Sequence, residues 1–522
     1  IMNTKGKGKD HENARADLEE MGIRPELYVE EAENEKALPV AATTMSRKEK
    51  KELCQFLHSV KFPSGYSSNF ARLVSMKELK LNFAMMKSHD CHVLMTSVLP
   101  VAIRNVLPVK VRETVMSLCF FFNAIEQKVI DDKLLTALDR RLHETLCLME
   151  AFFPPTFFDI MVHLTVHLVQ EIHYLGPSYL HQMFPYERYM GILKSFVNNR
   201  KYPEGNIISR YGTEEAVEWS MTYLDPDNPI GVPHSRHEGR LDGVGTLGKK
   251  SMNPERETYD QAHFLVLEHM ELVEPYVLKH KQLIVQQNPG RGEGWVAKKH
   301  MKEFNNWFKD HVAASNVPND DIKKLAAGPI FTVMTYQAYD INGYTFYTVQ
   351  QDKKSIYQNS GVRIDAYDNN MQKAPYYGQI EEIWELNYLE FKVALFKCQW
   401  VQGSQGVTRD KNGFVSVDLR NVGYKTEPFV LAKDVLQVFY VPDTVRTTRH
   451  IVLPGKRRIV GVHNAVDEEE FNQFDEIPPF ATCELPRLNA NDKTPYLRTD
   501  HNEKIRVRSN SRRGRGRGRK ET

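Results

Sequence analysis

Apolar residues recur every three to four positions from Val93 to Tyr223, which is the period of an amphipathic α-helix. Prolines interrupt this series and predict where helices end or bend. Ser46 is a good N-cap for an additional helix upstream. Thr156 is the predicted cap of the helix that follows Pro154 and Pro155. The predicted helices are 46–58, 94–129 with breaks at Pro100 and Pro108, 133–152, 157–175, 179–198 with a break at Pro185, and 214–223.

From Gly328 onward the period of the apolar residues changes to two, which is typical of half-buried strands. Turn signals such as Asn342-Gly343 and Asn412-Gly413 separate the strands. The regular spacing and the many aromatic residues favour a small barrel or two packed sheets. The eight predicted strands are 332–336, 344–349, 362–367, 376–384, 393–401, 414–419, 429–431 and 435–441.

The predicted fold class is therefore α+β, with several domains in one chain. Two further helices, 260–286 and 295–314, join the helical part to the strand-rich part. The predicted division is a flexible leader (1–45), a helical domain (46–224), a linker (225–257), a helical connector (258–327), a β-rich domain (328–455) and a disordered tail (456–522).

Charge and composition separate the C-terminal end from the rest of the chain. Residues 504–520 contain nine Lys and Arg and no acid, whereas the whole chain has a net charge of only +2. The rest of the chain is therefore mildly acidic. The alternating Arg and Gly at the end leave guanidinium groups free to contact phosphates and base faces, although the same composition fits a merely solubilising tail. The candidate nucleic-acid-binding residues are Arg512, Arg513, Arg515, Arg517, Arg519 and Lys520.

The remaining composition limits the location of the protein. No stretch has the length and apolar purity of a membrane-spanning helix, and residues 1–9 lack the apolar core of a secretory signal. The six cysteines are scattered without a Cys-x-x-Cys pair, which favours a reducing compartment.

Three polar clusters could carry chemistry. His89, Asp90, Cys91 and His92 are all metal-ligand types, but they also fit a capping Asp90 beside a hydrogen-bonded histidine. His163, His167 and Glu171 share one face of a helix at a spacing of four, where they would either bind a divalent metal or act as core histidines.

Glu187 follows Pro185 near a predicted helix start. Its carboxylate either faces a metal ion or is simply stabilised by the helix dipole.

These clusters and their surroundings resemble the C-terminal half of plant CACTA (En/Spm-type) transposases. Two uncharacterised domains of that family, one helical and one strand-rich, account for most of the resemblance, which extends over residues 1–455. The stretches that carry it are 87–95, 153–164, 184–190, 239–241, 248–250, 359–362, 377–378, 396–400 and 427–432.

The resemblance implies that the helical domain is the insertion-like part of a ribonuclease-H-like transposase. Such enzymes cut DNA with three acids and two divalent ions. By analogy Glu187 matches the third acid, and Asp90 and His92 match an accessory motif. No strand-borne pair of aspartates precedes residue 90 to supply the first two acids. We therefore expect Mg²⁺ or Mn²⁺ only where a complete site is assembled, and no DNA cleavage by this polypeptide alone.

The expected function is that of a truncated or domesticated transposase-derived protein in the nucleus that retains DNA or partner binding. Its partners would be DNA, bound largely non-specifically through the tail, and other transposase subunits, with no membrane. One alternative is a nuclear interaction or regulatory protein without a DNA role. Another is a subunit of a metal-dependent DNA transposase that a separate chain completes.

Overall fold

The computed structural model describes residues 8–32, 35–127, 129–181, 183–224, 241–315, 317–366, 374–458, 470–471, 485–489 and 492–507. Helices predominate before residue 330 and strands after it, so the α+β prediction is confirmed. None of the helices within these ranges has the length and apolar character needed to cross a membrane.

The N-terminal part contains eleven helices among its described residues and four short strands. The helices are α1 (Glu12–Glu20), α2 (Arg47–Ser59), α3 (Phe70–Leu73), α4 (Ser88–Val93), α5 (Leu99–Ala102), α6 (Val109–Ile125), α7 (Asp132–Phe152), α8 (Ile160–Leu164), α9 (Leu168–Leu175), α10 (Phe184–Ser195) and α11 (Pro203–Leu224). The strands are β1 (Glu30–Ala32), β2 (Glu35–Leu38), β3 (Val74–Ser75) and β4 (Lys80–Leu81).

The local signals explain several of these boundaries. Ser46 caps α2 in a capping box with Glu49, as its sequence predicts. The helix predicted over 157–175 is instead three pieces, α8, a 3₁₀ turn at Thr165–His167, and α9. Asp159 rather than Thr156 caps α8, because its carboxylate accepts from the backbone N–H groups of Met161 and Val162.

The connector and the strand-rich part follow. Their helices are α12 (Arg256–Glu268), α13 (Glu274–Gln287), α14 (Glu293–Ala314), α15 (Asp320–Ala327), α16 (Val349–Lys354) and α17 (Gly403–Gly406). Their strands are β5 (Val244–Leu247), β6 (Lys250–Met252), β7 (Val333–Tyr336), β8 (Ala338–Ile341), β9 (Tyr344–Tyr347), β10 (Gly361–Ile364), β11 (Tyr376–Asn387), β12 (Lys392–Val401), β13 (Val407–Arg409), β14 (Val415–Val417), β15 (Val422–Gly423), β16 (Phe429–Leu431), β17 (Leu436–Pro442), β18 (His450–Pro454), β19 (Arg457–Arg458), β20 (Glu470–Phe471) and β21 (Ile505–Val507).

The strands form an open antiparallel sheet rather than a closed barrel, so the barrel alternative is wrong. Eight strands run in the order β13-β14-β18-β17-β10-β11-β12-β15, and β16, β7 and β6 pair beside this path. A small sheet, β5-β8-β9, shares a core with the central strands through residues such as Phe346 and Phe396. The predicted linker thus supplies two strands, β5 and β6, because residues 244–252 pair with β8 and β7.

One apolar core joins the helical part to the sheet. Phe439 of β17 packs against Phe62 and Tyr66, with ring centroids 5.9 and 5.0 Å apart. Burying these rings together is favourable because it removes large apolar surfaces from water. The two parts consequently share one apolar core at this part of the sheet.

The N-terminal and C-terminal segments also pack on each other. β21 pairs with β2, and Arg498 donates to the carboxylate of Glu49 over 2.6 and 2.8 Å. The sequence predicts an extended leader and a disordered tail. Residues 492–507 instead lie against the leader and the start of α2, where apolar contacts at Leu18 and Leu497 and the buried Arg498–Glu49 ion pair hold them. The arginine-glycine end lies outside the described residues.

Candidate functional site

Asp90 ties the start of α4 to the preceding loop. Its carboxylate accepts hydrogen bonds from the Ser67 hydroxyl at 3.0 Å, the Ser68 N–H at 2.9 Å and the Lys87 N–H at 3.1 Å. Burial would raise the pKa of this carboxyl, but the hydrogen bonds outweigh burial and lower it. Both oxygens are engaged locally, so the side chain acts here as a structural cap.

The neighbours of Asp90 turn to different partners. The His89 ring donates from Nε2 to the Tyr66 carbonyl at 2.8 Å, and His92 Nε2 lies 3.0 Å from a Glu126 carboxylate oxygen. Burial, and then the charge of Asp90, raise the pKa of the Cys91 thiol, which disfavours the reactive thiolate. The four residues therefore do not converge on one point, and the assignment of Asp90 and His92 to an accessory catalytic motif stays a prediction.

Glu187 lies in the first turn of α10, where its side chain is exposed. Pro185 does not break this helix but lies within its first two positions. A proline is tolerated there because backbone N–H groups in the first turn have no partner within the helix. The carboxylate is accessible to an ion or to another chain, and its role as a third acid stays a prediction.

His163 and His167 are brought together, although they lie on either side of a helical junction. Their Nε2 atoms are 3.3 Å apart and both side chains are exposed. This spacing fits a shared proton and also fits two ligands of a zinc ion with Zn–N of about 2.0–2.1 Å.

Glu171 is exposed in the first turn of α9. Within the described ranges no three His, Cys, Asp or Glu side chains come together as a metal-binding group. In this part of the chain the side chains therefore do not make a complete ligand set for two divalent ions.

Residues 160–224 form the most exposed apolar part of the described chain, here called the apolar segment. It includes α8 to α11. None of the α11 side chains that the structure describes is buried, although this helix has 22 residues. The sequence periodicity predicts a helix with a packed apolar face in this region, but it does not identify the surface that packs against that face. Its large exposed apolar side chains are Ile160, Met161, Leu164, Tyr174, Leu175, Leu180, Met183, Tyr186, Tyr189, Met190, Tyr202, Ile208, Tyr211, Val217, Trp219, Tyr223 and Leu224.

A second feature, which the sequence did not indicate, is a cavity of about 450 Å³ between the connector helices and the sheet. Ligand sites typically enclose about 300–1,000 Å³ and are lined by apolar and aromatic groups with a few polar ones. Phe264 and His300 line it from the helices, and Trp400, Tyr376 and Phe429 line it from the strands. Since these residues are far apart in sequence, no local motif announces the cavity.

His300 is the most perturbed titratable group at this cavity. It is buried, and desolvation, followed by the charge of Lys281 and by His280, lowers its pKa to about 3. Its Nδ1 lies 2.7 Å from His280 Nδ1, so one ring donates and the other accepts. Both rings are accordingly neutral near pH 7 in this arrangement.

Comparisons with known proteins match both parts of this architecture. Residues 125–236 match the model of a domain of unknown function, DUF4218, and residues 384–452 match another, DUF4216. Both domains occur in plant transposase-like proteins. No curated protein and no solved structure gave a significant match. The first match contains the whole apolar segment, and the second contains the cavity residues Trp400 and Phe429.

Proposed function

We propose that this chain derives from a CACTA-type (En/Spm-type) transposase and acts in the nucleus as a binding protein, docking another protein chain through its apolar segment. The exposure of α11 supports the docking, and the two domain matches support the transposase-like origin. Short isolated helices are marginal in water, and most helical stability in proteins comes from packing an apolar face. A 22-residue helix with Ile208, Trp219 and Tyr223 exposed therefore needs a partner to bury these side chains.

The partner that suits this segment best is the catalytic portion of a transposase of the same type. Glu187 is exposed within the segment, so docking there would place acids from outside residues 1–522 beside its carboxylate. Small residues such as Gly212, Ala216 and Ser220 line a shallow groove along α11, which lets another helix approach closely. On this proposal the chain does not cut DNA by itself, and a divalent ion is held only in the assembled complex.

The docking experiment uses the full chain and a purified N-terminal catalytic portion of a CACTA-type transposase. Light scattering after gel filtration should show a stable complex for the natural chain. The double variant Ile208→Glu, Trp219→Glu should lose the complex, because two charges would be buried at the interface. Leu389→Glu is the control, since Leu389 is 77% exposed in the strand-rich part, between β11 and β12.

Three results would refute this partner: no complex with the natural chain, a complex that the double variant forms equally well, or self-association of the chain through α11. In the complex, Glu187→Ala should abolish Mg²⁺- or Mn²⁺-dependent strand cleavage without weakening the complex. Cleavage that survives this substitution would exclude Glu187 as the third acid.

DNA binding through the arginine-glycine tail is the second candidate function, and the nine cations in residues 504–520 favour it. Phosphate contacts make affinity fall steeply as salt rises. Removal of residues 508–522, which leaves β21 in place, should therefore lower DNA affinity in a mobility-shift assay and flatten its dependence on salt. An unchanged affinity and salt dependence would favour an interaction protein without a DNA role.

A further inference from the structure

The cavity between the connector and the sheet has aromatic walls on several sides. Trp400, Phe264 and Phe429 line it and are buried. Tyr376 and Tyr424 also line it, with ring centroids 5.2 Å apart and ring planes at 84° to each other. Aromatic faces carry negative potential, so rings set in different planes attract a compact cation from more than one direction.

The position of Trp400 depends on a glycine in the neighbouring strand. Gly378 of β11 pairs directly with Trp400 of β12. A Cβ atom at residue 378 would lie 2.8 Å from the indole ring and 2.9 Å from the Gln399 carbonyl oxygen. Only glycine leaves the room that the indole occupies, so the fold determines this wall of the cavity.

The charges around the cavity favour a positive ligand. Two carboxylates, Glu268 and Glu427, line it, and Lys281 is the only Lys or Arg among its lining residues. The Lys281 ammonium lies 3.4 Å from a Glu268 oxygen, whereas Glu427 makes no ion pair within the described part of the chain. His300 adds no positive charge, because burial keeps its pKa near 3.

We propose that this cavity binds an organic ammonium ion, either a methylated lysine side chain or a free quaternary amine. An aromatic wall with one unpaired carboxylate is the arrangement that recognises such cations, because the rings attract the charge without demanding hydrogen-bond donors. An anionic ligand would meet Glu427 and the ring faces unfavourably. A neutral apolar ligand would gain nothing from the carboxylate.

The experiment is calorimetric titration of the full chain with choline, with its uncharged carbon isostere dimethylbutanol, and with Nα-acetyl-trimethyllysine. Choline should bind at least fivefold more tightly than the uncharged isostere. Tighter binding of the lysine derivative than of choline assigns the site to methylated protein, and the reverse assigns it to a free amine. No saturable binding of either cation, or equal binding of choline and its isostere, would overturn the proposal.

Two substitutions locate the binding. Glu427→Gln should reduce the preference for the cation severalfold, and Tyr376→Leu should weaken choline binding about fivefold while keeping an apolar wall. Both side chains are at least partly exposed, so the fold should tolerate the changes. Glu257→Gln, on the connector helix α12 but outside the cavity, is the control and should bind like the natural chain. Choline binding that is unchanged in Tyr376→Leu and Glu427→Gln would overturn this location.

Discussion

The carboxylate of Glu49 should make the junction between the two chain ends sensitive to acid. It accepts hydrogen bonds from Arg498 at 2.6 and 2.8 Å, from the Leu107 N–H at 2.8 Å and from both the N–H and the hydroxyl of Ser46. Burial alone would raise its pKa, but these donors, Arg498 first, lower it from 4.5 to about 2. The side chains of Glu49 and Arg498 are only 12% and 6% exposed, so solvent screens the pair weakly.

The size of the effect follows from this lowered pKa. When the junction opens and Arg498 separates from Glu49, this carboxyl should return to its ordinary pKa. Between about pH 4.5 and 2 the open state therefore binds a proton more readily than the folded state. The contribution of Glu49 is thus complete above pH 4.5 and is lost as pH falls through 2. Each tenfold difference in proton affinity between the two states is worth 1.36 kcal/mol, so the full contribution of Glu49 is about 3 kcal/mol.

Hydrogen exchange of residues 46–59 measures the free energy of the opening that exposes this carboxylate. At pH 7, Glu49→Gln should lower that free energy by about 3 kcal/mol or more, because Arg498 would lose a buried partner. The difference between the natural chain and this variant should shrink by about 3 kcal/mol as the pH falls from 7 to 2.

Glu52→Gln is the matched control in the same helix. Glu52 is partly exposed and meets Lys48 only at 4.0 Å, so its loss at pH 7 should stay within about 1 kcal/mol. If Glu49→Gln had the same effect at pH 7 and pH 3, or if Glu52→Gln were equally damaging, the reasoning from the buried carboxylate would be refuted.

Three further substitutions test the packing inside the sheet, around the connector and between the helices and the sheet. Gly361→Ala would place a Cβ atom 2.3 Å from the Val438 carbonyl oxygen and should lower the free energy of unfolding by about 1–3 kcal/mol. Gly205→Ala, in open space on α11, is the control and should not destabilise the protein. Equal changes in melting temperature for the two variants would contradict this prediction. Burial lowers the pKa of His263 to about 4, so the stability it contributes should be lost as pH falls from 6.5 to 4; melting curves of His263→Gln and the natural chain should converge over that range. Arg104→Met should lower the free energy of unfolding in denaturant titrations by about 2–4 kcal/mol, because Arg104 pairs with Asp410 at 2.8 Å and lies near the buried Asp443. Arg420→Met, which removes an exposed ion pair, is the control and should lower it by less than about 1 kcal/mol.

Local patterns were sufficient for much of the secondary structure. The capping box at Ser46 and the regular apolar series of α7 are signals within a few residues, and both elements begin and end close to the predicted positions. All eight predicted strands are present, and the structure adds short ones such as β8, β13 and β18 that carry weaker signals. The polar residues of the site predictions could be identified from the sequence, but the partners of Asp90 and His92 could not.

Tertiary structure alone decided how these elements meet. Closure into a barrel or an open sheet depends on strand order, and strand order is set by contacts between distant residues rather than by the period of a strand.

The same physical reason accounts for the candidate sites. Asp90 becomes a cap because Ser67 and Ser68 fold over it, and the cavity exists because α12 packs against both α14 and β16. The sequence by itself determined which segments are helical, extended or charged, since those properties depend on neighbouring residues. Burial and pairing determined which polar groups remain available for binding.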